Sequence, residues 1–98
     1  MLILVRFRPM TAAEGGRRYA VASGYRSEWT SEAKPERNEG TLMLSSSQCT
    51  LGKRLLGVIY PVAPELWYRV KIGDTLHCCE GPKVVGDAIV DGVYTLTR

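Results

Sequence analysis

The stretch Glu14-Gly15-Gly16-Arg17-Arg18-Tyr19-Ala20-Val21-Ala22-Ser23-Gly24-Tyr25-Arg26-Ser27-Glu28-Trp29 decides how this chain is read. Two adjacent glycines allow backbone angles that a side chain forbids, so Gly15-Gly16 predicts a sharp reversal. The run after Gly24 then alternates. Tyr25, Ser27 and Trp29 fall on one face of a strand, and Arg26 and Glu28 on the other.

Working outward, the same period recurs along the chain. Residues 2–8 place Ile3, Val5 and Phe7 on one face and Leu4, Arg6 and Arg8 on the other, with Pro9 ending the strand. Further strands are expected at 19–22, 24–30, 41–45, 55–60, 65–73, 75–79 and 83–96, with bends at Gly86 and Gly92. The 55–60 strand is apolar on both faces and reads as central. The 65–73 strand is read as half-buried, with Arg69 and Lys71 alternating against its apolar residues. The polar run 31–40 reads as a surface loop, and Ser45-Ser46-Ser47-Gln48 as another exposed connection. No stretch keeps a helical apolar period over three turns, so the class is all-β, a sandwich or a barrel.

The bulk numbers fit one domain. The chain has 98 residues, 45% of them hydrophobic and 23% charged, with a net charge of +3. That length supports one modest core and not two. The charge is mildly basic and spread out, unlike the dense cluster of a nucleic-acid arm. Arg6 and Arg8 interrupt the apolar start, which leaves neither a signal peptide nor a span of about 20 apolar residues. The expectation is a soluble, cytoplasmic protein. Cys49, Cys78 and Cys79 have no C-x-x-C spacing, and an odd count predicts free thiols in a reducing compartment.

Catalytic and metal chemistry find little support. His77 lies beside Cys78 and Cys79, but neighbours on a strand project to opposite faces, so His77 is badly placed to activate Cys78. Cys79 shares the His77 face yet stands roughly 7 Å along the strand. Packing as small hydrophobes is the simpler role for these cysteines. Two cysteines and one histidine on alternating faces also make a poor tetrahedral site. Gly15-Gly16 ahead of Arg17-Arg18 could cradle a phosphate, but no helix start follows to supply free N–H groups. A tight turn explains the glycines better. No catalytic, metal or cofactor residue is therefore assigned.

The opening stretch resembles the pattern EGGR-x6-GYR-x-x-aromatic in the third domain of the elongation factor Tu family. Ile59-Tyr60-Pro61-Val62-Ala63 is similar to that family's IHPIA, Gly40-Thr41-Leu42 to its GTI, and Glu80 to Ala88 to its EGGRTVGAG. The anchors stand in family order and cover nearly the whole chain. The resemblance implies a closed six-stranded antiparallel barrel standing alone. There are departures. The threonine-proline after the family's GGRH is Tyr19-Ala20, and an insertion after Ala63 brings in Trp67 and Tyr68. The G-x-x-x-x-G-K-[ST] phosphate loop is missing, so no nucleotide is expected to bind.

In that family the barrel packs on a GTPase domain and holds the T-stem of aminoacyl-tRNA. Of the T-stem positions, Glu80 and Gly81 are kept here, while neutral polar residues have become Glu28 and Glu39. By the family layout Arg17, Arg18 and Lys83 flank the same rim, which three carboxylates and three cations leave about neutral. Trp67 and Tyr68 are adjacent on a strand and cannot both point inward, and an exposed aromatic beside Arg69 suits an interface. The expected partner-binding set is Arg17, Arg18, Glu28, Glu39, Trp67, Tyr68, Arg69, Glu80, Gly81 and Lys83. The function expected is a non-enzymatic module binding a protein partner, linked to translation. The alternatives are a small immunity or regulatory protein that neutralises its partner, or an RNA-binding barrel. tRNA and other RNA are disfavoured, and no membrane partner is expected.

Overall fold

The computed structural model describes residues 1–95. Six strands close into an antiparallel barrel, and a two-stranded ribbon sits beside it. In chain order the strands are β1 (Leu2–Pro9), β2 (Val21–Ala22), β3 (Tyr25–Thr30), β4 (Asn38–Leu44), β5 (Gln48–Cys49), β6 (Leu55–Pro61), β7 (Thr75–Glu80) and β8 (Lys83–Tyr94). Around the barrel the order is β1-β6-β4-β3-β7-β8, with β8 returning to β1, and β2 pairs with β5. The fold expected from the sequence is the fold observed.

Alternation drives the closure. Ile3, Val5 and Phe7 of β1, Trp29 of β3, Leu42 of β4, Ile59 of β6, Leu76 and Cys78 of β7, and Ala88 and Val90 of β8 all point into one core. Trp29 meets Phe7 edge to face, with ring centroids 6.1 Å apart, and its indole N–H donates to the Gly40 carbonyl at 3.0 Å. A buried indole thus keeps its hydrogen bond while filling the barrel. Bulges fall beside the two glycines expected to bend β8. The register with β7 shifts at Cys78/Cys79, opposite Gly86, and the register with β1 shifts at Leu4/Val5, opposite Gly92. An extra residue on one strand raises the local twist, which helps a six-stranded sheet close.

The Gly15-Gly16 reversal is tied at both ends. The Thr11 carbonyl accepts from the N–H groups of Glu14 and Gly16, while the Glu14 carboxylate accepts from Thr11 and from Arg8. Gly15 has φ +90°, and a Cβ on Gly16 would stand 2.3 Å from the Met10 carbonyl oxygen. A side chain at Gly15 would strain the backbone, and one at Gly16 would displace Met10.

Several local expectations are corrected. Residues 65–73 are not a strand. Pro64–Trp67 form one turn of 3-10 helix, and turns follow to Asp74, whose carboxylate accepts from the Lys71 N–H. The buried residues there are Trp67 and Val70, three apart, while Ile72 is 68% exposed. That spacing is one 3-10 turn and not a pleat. β6 is not apolar-buried on both faces, since Leu56 and Tyr60 lie on the outside of the barrel. The 45–48 connection contributes Gln48 to the small ribbon, and only Val21 and Ala22 of the 19–22 segment pair with it. β4 begins at Asn38, earlier than expected, and Leu96 of the final strand lies outside the described residues.

Candidate functional site

The residues singled out for partner binding mostly converge on the outer face of β3, β4 and β7, next to the β7–β8 hairpin. Glu28 and Glu39 stand directly opposite each other in the β3–β4 register. Like charges facing across strands repel. Each carboxylate here has its own arginine. Arg26 donates Nε to Glu39 at 2.8 Å, with a second bond from its Nη2, and Arg37 lies 3.8 Å from Glu28. Arg37 also donates to the Gly81 carbonyl, joining this strand pair to the hairpin.

At the hairpin, Glu80 is held from two sides. Arg17 Nη1 approaches its carboxylate at 3.1 Å, and the Tyr25 hydroxyl donates to the same oxygen. The Arg17 guanidinium also covers the Tyr25 ring, 5.0 Å from its centroid. Burial, and then the bond to Glu80, push the Tyr25 hydroxyl well above its usual pKa. The glycine-rich turn therefore delivers Arg17 to a carboxylate. Arg18 and Lys83 are exposed, and neither makes an ion pair among the described residues.

A ledge continues the band. Arg69 pairs with Glu36 and covers the ring of Tyr68, with 5.4 Å between Cζ and centroid. Tyr68 is 74% exposed, whereas Trp67 is fully buried. One of the two aromatics is exposed, as expected. Trp67 itself leaves the partner-binding set, because the 3-10 turn directs it under the barrel wall and away from any partner. Its indole N–H is buried without a hydrogen-bond partner among the described residues.

Lys34 anchors the ledge and was not foreseen. It lies in the 31–40 run read as surface loop, yet it is fully buried. Its Nζ donates to the Trp29 carbonyl at 2.6 Å, the Glu36 carbonyl at 3.1 Å and Asn38 Oδ1 at 3.3 Å. Burial lowers its pKa from the ordinary lysine value, with Glu36 opposing. A lone lysine in a polar loop carries no sequence signal for burial. Arg26, Arg37 and Glu36 were missed as site residues for a related reason, since their partners appear only once the strand register is known.

Cys78 and Cys79 are adjacent on β7, and both are buried. Cys78 points into the core, and burial pushes its thiol up to about 12. Cys79 lies outside that core under Arg37, whose own pKa is raised chiefly by the Cys79 sulfur. All three cysteines are free and buried. Among the described residues no group of three or more histidine, cysteine or acidic side chains could hold a metal ion, and no helix is long and apolar enough to cross a membrane.

The geometry defines a small closed β-barrel bearing an exposed band of arginine–carboxylate pairs and two arginine-covered tyrosines, Tyr25 and Tyr68. No family model matches the chain, and no curated protein matches it either.

Proposed function

We propose that this barrel is a non-enzymatic binding module whose partner is a protein, resembling the third domain of elongation factor Tu and linked to translation. The observation that carries the reading is the charge pairing of the exposed band. Glu80, Glu39 and Glu28 are each matched to an arginine of the same chain, Arg17, Arg26 and Arg37. Phosphate backbones are bound by cations that can exchange small counterions for phosphates. Arginines already engaged with carboxylates are poorly placed to do so. Mixed, paired charge around an exposed Tyr68 suits a protein surface, where tyrosine and arginine anchor contacts and ion pairs set orientation.

Capture of the protein from native lysate, with and without nuclease, tests this. A protein should be retained after nuclease treatment and lost with Tyr68→Ala combined with Arg69→Ala. Retention that disappears with nuclease would turn the reading toward RNA.

A further inference from the structure

A polar cleft of about 280 Å³ opens between residues 31–33 and the 73–75 turn, with Ser31, Glu32, Asp74, Thr75 and His77 in its lining. Both walls are tied by local hydrogen bonds. Ser31 and Lys34 exchange backbone bonds of 2.9 and 3.2 Å, and the Lys71 N–H donates to Asp74 Oδ2 at 3.0 Å. Both walls also run on into the Tyr68 ledge, where Glu36 of one segment pairs with Arg69 of the other. Of the ten acidic side chains, seven pair with an arginine among the described residues. Two of those left over, Glu32 and Asp74, line this one cleft. Ser31, only 6% exposed, lines it too, and its Oγ accepts from the Lys34 N–H at 3.1 Å. The second lone pair and the proton of that hydroxyl have no partner among the described residues.

We infer that this cleft takes an arginine side chain of the protein partner, an inference that rests on reading the adjoining band as a protein-binding surface. A guanidinium carries five N–H donors in a fixed plane and no acceptor. The cleft offers the complement. Glu32 is unpaired, Asp74 keeps Oδ1 free while Oδ2 serves Lys71, and the Ser31 and Thr75 hydroxyls add neutral acceptors. Hydrogen bonds between ionised partners are the strong ones, and a lysine ammonium, with three donors on one point, would use fewer of these acceptors. The volume suits one side chain, since small-molecule pockets run to about 300–1,000 Å³. A metal ion does not fit, because Glu32, Asp74 and His77 do not form a group that could hold one. Lys71 stands with Glu32 and Asp74 at the outer mouth and pairs with neither among the described residues. Two carboxylates outweigh that one ammonium, and the mouth attracts a cation.

The test is a nuclear magnetic resonance titration of the full chain with N-acetyl-arginine amide, beside the citrulline derivative as its uncharged isostere. The arginine derivative should shift the amides of residues 31–33 and 73–77 saturably, and the citrulline derivative should bind about tenfold more weakly or worse. Glu32→Gln combined with Asp74→Asn should weaken arginine binding by about tenfold or more, the effect of losing charge-assisted hydrogen bonds. The asparagine oxygen can still accept from the Lys71 N–H, so the turn is kept. Equal binding of the two derivatives, shifts confined to other parts of the barrel, or binding that survives the double substitution overturns the inference. The titration needs no partner, so its outcome is separate from that of the lysate capture. Capture that succeeds while the titration fails removes the arginine from the cleft and leaves the protein partner standing. Capture that fails while the titration succeeds removes the protein partner and leaves a guanidinium site.

Discussion

The ammonium of Lys34 lies 4.6 Å from the centroid of the Trp67 ring, and neither side chain is exposed. Through this contact the 31–37 loop closes over the 3-10 turn, and Glu36 and Arg69 repeat the connection on the outside. Both segments border the band proposed to bind a partner. The buried cation, more than the surface pair, fixes the ledge that presents Tyr68, since an exposed ion pair contributes little.

Replacing Lys34 should therefore cost more than a surface lysine would. Lys34→Met keeps the length of the side chain but leaves the Trp29 and Glu36 carbonyls without their donor. A loss of about 2–4 kcal/mol in unfolding free energy is expected, the range for a buried polar network that loses a charged member. Urea denaturation measures it. A change within half a kilocalorie would mean that Lys34 is dispensable.

Gly40→Ala tests the floor of the same ledge. A Cβ there would meet Ile59 Cγ2 at 2.8 Å and the Trp67 ring at 3.2 Å, so the Ile59 methyl has to shift and the indole to give slightly. Overpacking of this kind costs about 1–3 kcal/mol. Thermal melts should fall accordingly, with Trp fluorescence altered in the native state.

The strand pattern was legible in the sequence because alternation is local. β1 and β3 could be assigned face by face, since Ile3, Val5 and Phe7 or Ser27 and Trp29 differ plainly from their neighbours. Residues 65–73 misled because Tyr68, Val70 and Ile72 keep a period of two with Arg69 and Lys71 between them, whereas the buried pair is Trp67 and Val70, three apart. Pro64 at the head of the segment is what selects the turn. The charged band was legible as a list of residues and not as a set of pairs. Which arginine neutralises Glu39 depends on the β3–β4 register, and burial of Lys34 depends on Trp67 arriving from another segment. Such contacts are long-range and leave no local trace.

Stability should decline at alkaline pH through Cys78. Its thiol titrates near 12 in the folded barrel, against an ordinary value of 9.0. Between these values the unfolded chain has lost the proton that the folded chain keeps. Stability is thus full below the unfolded value and falls as pH rises through the window, by about 1.4 kcal/mol per pH unit for one group. Burial of Tyr25 acts in the same direction at higher pH. Cys78→Ala should lower stability at neutral pH yet flatten its decline above pH 9, relative to the unmodified protein. An unchanged slope would exclude Cys78 as the source. Thiol counting should find the native protein nearly unreactive and the denatured one with three thiols.

The charge pairing makes its own prediction about RNA. Glu28→Gln together with Glu39→Thr removes two carboxylates and releases Arg37 and Arg26 from their partners. The band then gains two positive charges, beside Arg18 and Lys83, which already stand exposed. Each phosphate contact that a freed arginine makes should strengthen binding and steepen its salt dependence, by roughly 0.7–0.9 in the logarithmic slope. The unmodified protein should therefore bind charged tRNA weakly in a gel-shift titration. The double variant should bind more tightly at low salt and lose that gain as salt rises. Tight, strongly salt-dependent binding by the unmodified protein would overturn the proposal of a protein partner. A double variant that binds no better would show that masking by Glu28 and Glu39 is not what keeps RNA away.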